Sequence, residues 1–331
     1  MPMVLVDARD AYLEPLRGWG RYARELVEHL APDDLEVRTV TRGGRGPEVL
    51  FEQVELPRIA RRLGANLVHA PNCFLPLRRP CPGVVTIHDL AFEALPGDFS
   101  RKTGAKYRWA TPRAARSAER VVCVSQWTAD DVVARYDVDP SKLRVVPNAP
   151  SLPVGDGPVP ASVPVGDRGY VMAIGDLRPK KNLPRLVEAW RRADTGRALV
   201  LVGAGTWPDG APPEGVVLTG YLPDAELDAL LRGADLLVHP SLYEGFGLVV
   251  VEAMVRGTPV ACADATALPE TAGGAAQLFD PLDVDAMAGA ISAALADRER
   301  LSAAGRARAA DFSWERTAAL TADVYREALA A

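Results

Sequence analysis

Short apolar runs alternate with helical patterns along the first half of the chain. Residues 4–8 (VLVDA) form a short apolar run, which predicts a buried strand. The stretch 20–30 has apolar residues at positions 22, 26, 27 and 30, the spacing of one helix face. Strands that alternate with helices predict a parallel sheet covered on both faces. Further strand-like runs occur at 35–41, 66–70, 83–89 and 120–125.

The composition changes between residues 147 and 169, where six prolines and four glycines occur in 23 residues. Such a stretch suits neither a helix nor a central strand, so we interpret 151–168 as a linker. The alternation resumes at 170–175 (YVMAIG) and continues to residue 311. We therefore predict an α/β fold with two doubly wound, Rossmann-like domains, 1–150 and 169–311.

The C-terminal stretch 312–331 has the pattern of an amphipathic helix that Ser313 can cap. Its apolar face must pack against something, in the simplest interpretation its own domain. Two domains joined by one linker would face each other across a cleft, with the carboxyl ends of both sheets on either side. Because open α/β sheets bind ligands at those ends, the sequence predicts a site in the cleft.

Charge and composition narrow the class of protein. The chain has 331 residues and a formal charge of −5, which argues against a nucleic-acid-binding protein. Its four cysteines form no CxxC pair and no zinc-type cluster, so reduced thiols in a cytoplasmic protein are expected, and no metal. The N-terminus does not resemble a signal peptide, and no run of 18 apolar residues would span a membrane.

The stretch 239–254 (HPSLYEGFGLVVVEAM) carries the most informative pattern. Gly245 and Gly247 precede a predicted helix, whose unpaired amides and dipole favour a phosphate. Glu252 lies in an apolar run, where a carboxylate is costly unless it receives hydrogen bonds, for instance from a ribose diol. Glu244 could reach another part of the same ligand. Alternatively, Glu252 faces solvent and the glycines only form a turn.

A basic loop follows the strand predicted at 170–175. Arg178, Lys180 and Lys181 lie between this strand and a predicted helix. Cations at a strand end can neutralise a diphosphate and stabilise it as a leaving group. A solvated basic loop would also account for these charges.

Both stretches resemble signatures of the retaining glycosyltransferases of family 4, which have the GT-B fold of two Rossmann-like domains. Residues 239–260 contain that family's two glutamates separated by seven residues. Residues 170–190 resemble its glycine-to-lysine-asparagine loop, as found in the bacterial mannosyltransferase-like subgroup. The N-terminal half resembles the family more loosely, at 18–30, 84–92 and 121–133.

The resemblance implies roles for the matching residues. Glu252 would bind the donor ribose, and Glu244 would contact the sugar hydroxyls near the reacting carbon. Lys181 would bind the diphosphate. The surroundings of the diphosphate and sugar would be formed by Gly175, Gly245, Phe246, Gly247 and Leu248.

One position departs from the family pattern. Many members carry arginine directly after the loop glycine, where this chain has Asp176. Lys180 would then supply the second cation for the diphosphate, with Arg178 as the other candidate.

The first domain would hold the acceptor. The resemblance implies that Gly18 and Gly20 approach the donor phosphate and the acceptor; the alternative is that they only mark a tight turn. His88 ends the strand-like run 83–89, where a lone histidine is either a packed core residue or, by resemblance, a catalytic neighbour of the donor sugar. In the family the C-terminal helix crosses back to this domain.

A basic segment extends from Arg101 to Arg120. It contains seven basic residues and one acid, with Tyr107 and Trp109 interleaved. Such a segment is either a solvated helix face or a surface for an anionic membrane or a lipid-linked acceptor.

The implied function is retaining, metal-independent transfer of a hexosyl group. The donor would be a nucleotide-diphospho-sugar, GDP-mannose before a UDP-sugar, and no further cofactor is expected. The acceptor would be a glycan, a lipid-linked or a small-molecule hydroxyl. Two alternatives remain open: a nucleotide-sugar 2-epimerase of similar fold and a non-catalytic nucleotide-sugar-binding subunit.

Overall fold

The computed structural model of the chain describes residues 1–13, 16, 18–42, 47–165, 167–207 and 210–331. Gly166, within the predicted linker, lies outside the described residues. The chain divides into two compact units. Unit 1 comprises Met1–Ser151 and Phe312–Ala331, and unit 2 comprises Leu152–Asp311.

Each unit is built on a parallel sheet, and both sheets have six strands within the described residues. The strands of unit 1 are β1 (Met3–Asp7), β2 (Glu36–Val40), β3 (Leu67–Ala70), β4 (Gly83–Ile87), β5 (Arg120–Cys123) and β6 (Leu143–Val145). Those of unit 2 are β7 (Tyr170–Ile174), β8 (Ala198–Val202), β9 (Val216–Gly220), β10 (Leu236–His239), β11 (Val260–Ala263) and β12 (Gln277–Phe279). The predicted α/β fold with two Rossmann-like domains is confirmed.

Helices connect the strands and cover the sheets. They are α1 (Gly18–His29), α2 (Glu48–Leu50), α3 (Leu56–Leu63), α4 (Ala91–Ala94), α5 (Arg101–Ser117), α6 (Gln126–Tyr136), α7 (Leu183–Ala193), α8 (Asp224–Gly233), α9 (Leu248–Arg256), α10 (Leu268–Ala272), α11 (Val284–Ala296), α12 (Arg298–Ala309) and α13 (Trp314–Ala330). A π-helical turn, Phe51–Glu55, joins α2 to α3.

The strand order places one topological switch point in each unit. In unit 1 the order is β2-β1-β3-β4-β5-β6, and in unit 2 it is β12-β11-β10-β7-β8-β9. Connections leave in opposite directions on either side of the β1/β3 pair and of the β7/β10 pair. Ligands of open α/β sheets bind at such points, outside the carboxyl ends of the strands.

Helix α13 belongs to unit 1. The predicted cap is confirmed, since Ser313 Oγ accepts a hydrogen bond from the backbone N–H of Arg316 at 3.2 Å. Trp314, Ala318 and Tyr325 are buried in a cluster with residues of β1, β3 and β4. The apolar face that the sequence showed is therefore covered by the first sheet.

A buried polar chain fastens α13 to this sheet. Tyr325 OH lies 2.7 Å from His69 Nδ1, and Thr86 Oγ1 lies 2.9 Å from His69 Nε2. Thr86 Oγ1 is also 3.3 Å from Tyr22 OH on α1. Burial lowers the pKa of His69 to about 3, so the imidazole is neutral at pH 7 and both nitrogens are satisfied.

We predict that His69 makes the stability of the protein depend on pH. Its pKa is about 3 in the folded chain and ordinarily 6.5. Between these values the unfolded chain binds a proton that the folded chain does not, so stability falls as pH falls, by up to about 1.4 kcal/mol per unit. Urea denaturation from pH 6.5 to 4.5 should show a steeper loss for the parent than for His69→Gln.

The matched control is His29→Gln, which changes a partly exposed histidine of the same unit. It should retain the parent's slope. Equal slopes for the parent and His69→Gln would contradict the assignment.

Candidate active site

Two lysines and one glutamate meet at the switch point of unit 2. Lys180 and Lys181 follow β7, and Glu244 follows β10, the strand paired with β7. Lys181 Nζ donates to Glu244 Oε1 at 2.6 Å, and Lys180 Nζ lies 4.0 Å from Glu244 Oε2. All three side chains are less than one fifth exposed. The cluster carries two positive charges and one negative charge, so a bound anion would neutralise its net positive charge.

The charged state of Glu244 depends on these lysines. Burial opposes its ionisation, but Lys181, Lys180 and a hydrogen bond from His239 outweigh burial and hold its pKa well below the usual range. His239 Nε2 lies 3.3 Å from Glu244 Oε1. Burial lowers the pKa of His239, which keeps this imidazole neutral near pH 7. Glu244 is therefore a carboxylate throughout the physiological range.

Hydrogen bonds hold the basic loop against the loops that follow β10 and β12. The Asn182 side-chain amide donates to the carbonyl oxygens of Pro240 (3.2 Å) and Pro281 (2.7 Å). The backbone N–H of Leu242 donates to Lys180 O at 2.8 Å. These bonds explain why asparagine follows the lysine pair: it fixes the basic loop beside the loop after β10, which carries Glu244.

Gly175 makes room for Lys181. Its φ of +153° favours glycine, and a Cβ atom there would lie 2.8 Å from Lys181 Cδ. The next residue, Asp176, accepts the backbone N–H of Ala204 at 3.0 Å. Asp176 therefore braces the neighbouring loop from the position at which the resemblance implied an arginine. Arg178 is partly buried one turn before Lys181.

Helix α9 begins beside this cluster. Gly247 precedes it with a φ of +94°, and a Cβ atom there would lie 2.5 Å from Leu268 Cδ2. Thr271 Oγ1 donates to the carbonyl of Phe246, which fixes the preceding turn. The glycine thus allows the tight turn, and the amides and dipole of the first turn of α9 favour an anion. Leu248 is the first residue of the helix, and Gly245 lies in the loop before it.

Glu252 is buried, not turned to solvent. It is 6% exposed, and its Oε1 accepts the backbone N–H of Leu152 at 2.9 Å. Its Oε2 lies 3.2 Å from Nη1 of Arg256, one turn later in α9. The cost of burying this carboxylate is offset by a peptide donor and a guanidinium.

Arg256 is a residue that the sequence pattern did not reveal. Its side chain is fully buried and donates to Asp228 Oδ1 (2.7 Å) and to the carbonyls of Leu152 (2.9 Å) and Pro153 (3.0 Å). Asp228 in turn accepts the backbone N–H of Gly155 at 3.0 Å. These contacts fasten the first residues of unit 2 to α8 and α9 and orient Glu252.

The predicted residues of unit 1 lie directly after β4 and in the first turn of α1. His88 follows β4, and its Nε2 lies 2.7 Å from the carbonyl of Pro71, which therefore receives the ring proton and leaves Nδ1 as an acceptor. Burial lowers the pKa of His88, so it is neutral near pH 7. Gly20 has a packing role, since a Cβ atom there would lie 2.7 Å from Asp10 O. Gly18 starts α1, and among the described residues no atom lies within 4 Å of the position that its Cβ would take.

The basic segment is only partly helical. Helix α5 ends at Ser117, and Arg120 lies in β5 and pairs with Glu327. Within α5, Lys106 turns inward to Glu48 and Glu52. The exposed residues of α5 include five cations and the 47% exposed Trp109, and no acid occurs in the helix. These cations are Arg101, Lys102, Arg108, Arg113 and Arg116.

The structure thus brings Lys180, Lys181 and Glu244 together and places Glu252 on the adjacent helix. His239 also lies in this cluster; its place in an apolar strand gave no signal. No group of three or more histidine, cysteine or acidic side chains within the described ranges could hold a metal ion. Of the helices the structure describes, none has the length and apolarity to cross a membrane.

Family comparisons match both units. Residues 16–150 match the glycosyltransferase family 4 model, and residues 160–309 match that of the group 1 glycosyl transferases. The chain is 34% identical to the MMP alpha-(1->4)-mannosyltransferase of Mycolicibacterium hassiacum, over 98% of this chain and 85% of the relative. It is 28% identical to the O-antigen chain mannosyltransferase B of Escherichia coli, over 98% and 100%.

Solved structures share the fold. A sucrose-phosphate synthase from Thermosynechococcus elongatus superposes with a TM-score of 0.78 at 22% identity, covering 100% of this chain and 99% of that one. Anabaena Alr3699/HepE, solved with UDP, gives 0.71 at 18%, covering 98% and 100%. The relatives are named as transferases, which favours neither the epimerase nor the non-catalytic alternative. The chain belongs to the GT-B glycosyltransferases, with a family 4 domain followed by a group 1 domain.

Proposed function

We propose that this glycosyltransferase transfers a hexosyl group from a nucleotide-diphospho-sugar, GDP-mannose before a UDP-sugar, to a glycan hydroxyl with retention of configuration. The convergence of Lys180 and Lys181 on Glu244 carries the proposal. The two ammonium groups suit a diphosphate, and the carboxylate suits sugar hydroxyls. The names of the mannosyltransferase relatives support a mannosyl donor, and UDP in a structural neighbour supports a nucleoside diphosphate.

In this proposal, a different group of the protein contacts each part of the donor. Lys181 and Lys180 neutralise the diphosphate, together with the amides at the start of α9. Glu244 accepts hydrogen bonds from hydroxyls of the transferred sugar. Glu252, oriented by Arg256, accepts the ribose hydroxyls. Lys180 is preferred to Arg178 as the second cation because its ammonium already lies 4.0 Å from Glu244.

In the proposed reaction the acceptor oxygen bonds to the anomeric carbon on the face from which the diphosphate departs. The bond between that carbon and the phosphate oxygen breaks, and its electron pair stays on the diphosphate. The acceptor proton passes to a diphosphate oxygen. The lysines stabilise the negative charge that builds there, so positioning and electrostatics supply the rate enhancement without a resident metal.

The exposed face of α5 supports a further part of the proposal, peripheral contact with an anionic membrane. Five cations and Trp109 lie on this face, and no acid occurs in the helix. An interfacial helix typically combines cations with an aromatic side chain in this way. A lipid-linked glycan would then be within reach as the acceptor.

Replacing Glu244 with glutamine should abolish most of the transfer activity. The amide keeps the shape of the side chain but removes the charge that pairs with Lys181, so we expect kcat to fall about 100-fold or more. Sugar transfer to a mannan acceptor from radiolabelled GDP-mannose measures it. Glu188→Gln, an exposed acid of the same unit, should remain near the parent. Activity of Glu244→Gln within twofold of the parent would refute its role.

The ribose role of Glu252 can be tested with a modified nucleotide. GDP should raise the melting temperature of the parent protein by mass action. Glu252→Gln should weaken GDP binding about tenfold, because it loses charge-assisted hydrogen bonds. With 2′,3′-dideoxy-GDP, the parent and Glu252→Gln should bind equally, as measured by calorimetric titration. An equal loss for both nucleotides would show that Glu252 acts on the fold and not on ribose.

Vesicle sedimentation tests the membrane contact. The protein should bind phosphatidylglycerol vesicles and not phosphatidylcholine vesicles, and the double variant Arg101→Glu/Arg113→Glu should bind at least about tenfold more weakly, since each cation contributes roughly 1 kcal/mol. The control Arg58→Glu/Arg61→Glu makes the same charge change on α3 of the same unit. Equal binding of both double variants would contradict the proposal.

A further inference from the structure

Unit 1 has a cavity of about 530 Å³ at its own switch point. The end of β1 and the loop after it form one side, and the end of β3 and the loop after it form another. The lining residues there are Asp7, Arg9 and Asp10, and Ala70, Pro71 and Asn72. Helix α5 contributes Lys106 and Tyr107. Its volume is in the range of small-molecule sites, and its place in the topology is the one where open α/β sheets bind ligands.

Two basic side chains of this cavity are already neutralised by carboxylates. Arg9 Nη2 lies 2.8 Å from Asp7 Oδ2 and 3.9 Å from Glu52 Oε1. Lys106 Nζ lies 2.7 Å from Glu48 Oε2 and 3.2 Å from Glu52 Oε1. The cavity wall therefore presents these cations as bound ion pairs. In this it differs from the lysine pair of unit 2, where two cations share one carboxylate.

Asp10 adds a further acid. Asn72 Nδ2 donates to its Oδ2 at 2.9 Å. Burial raises the pKa of Asp10. The hydrogen bond from Asn72 and the charge of Arg9 oppose this, and the carboxylates of Asp7 and Glu48 add to it. Among the described lining residues, four acids thus outnumber three bases, Arg9, Lys102 and Lys106. An anion that enters this cavity would be repelled by the excess of acidic side chains.

Aromatic rings complete the wall. Trp19 is 41% exposed at the cavity, and Tyr107 and Phe74 form an edge contact with ring centroids 4.6 Å apart. Carboxylates and amides accept and donate hydrogen bonds to hydroxyls, and aromatic faces cover apolar ring carbons. This combination suits a polyhydroxylated ring without a charge of its own.

We propose that this cavity binds the acceptor as a neutral sugar residue and discriminates against a phosphate ester. The proposal rests on the transferase function proposed above and names its acceptor class. A phosphate group would bring about −1.5 to −2 charges at pH 7 to a wall in which Arg9 and Lys106 are already paired with carboxylates and acids outnumber bases. The hydroxyl groups of a neutral sugar would instead donate hydrogen bonds to the carboxylates of Asp10 and Glu48.

The test compares D-mannose with D-mannose 6-phosphate, which differ only in the phosphate. Dissociation constants are measured by saturation-transfer NMR on the full-length protein, with saturating GDP to occupy the lysine pair of unit 2. Mannose should bind at least tenfold more tightly than its phosphate. Asp10→Asn should weaken mannose binding about fivefold and reduce the difference between the dissociation constants of mannose and mannose 6-phosphate. Glu48→Gln, which changes a largely exposed side chain, should strengthen the binding of mannose 6-phosphate.

Glu36→Gln removes an exposed acid of β2 outside the cavity and should change neither constant. Mannose 6-phosphate binding as tightly as mannose would overturn the proposal, as would mannose binding that is unchanged in both Asp10→Asn and Glu48→Gln. Absence of a melting shift with any nucleoside diphosphate would refute the donor assignment instead. In that case the binding of mannose and of mannose 6-phosphate is compared without GDP, and the same two results would overturn the proposal.

Discussion

The reversal of strand order at β7 and β10 determines where charge collects in unit 2. Because chain connections leave this pair in opposite directions, the loops after both strands are free to approach each other. The loop after β7 carries two lysines, and the loop after β10 carries Glu244. Their side chains meet although they are 63 residues apart in sequence. Neither loop contains all three charges, so the cluster depends on the topology that brings the two loops together.

Buried charge sets the second constraint. Removing one partner from a buried ion pair typically costs about 3–5 kcal/mol, because the other charge remains uncompensated. Glu252, Arg256 and Asp228 are each less than one tenth exposed, so each depends on the others. The peptide groups of Leu152 and Pro153 complete the set. The carboxylate proposed for ribose is therefore held by the same guanidinium that fastens the start of unit 2.

The sequence predicted the elements whose pattern is local. Continuous apolar runs identified β1 and β7, for example, since a parallel strand is buried on both faces. It missed β6 and β12, which have only three residues each. The lysine pair and the two glutamates were identified as candidates, but their contacts were not predictable from spacing. The sequence did not identify Arg256 and Asp10 as site residues. A charged residue that is buried cannot be told from a surface one in the sequence until its partners are known.

Asp176 shows how a departure from a family pattern is accommodated. A carboxylate directly beside a diphosphate would repel it, so the position is tolerable only if that charge is engaged elsewhere. Its Oδ1 accepts a backbone N–H of the loop after β8. The positive charge of the site must then come from further along the loop, where Asn182 fixes the chain against the loop after β10. The lysine pair and Asp176 are thus two parts of one arrangement, in which the acid shapes the loop and the lysines supply the charge.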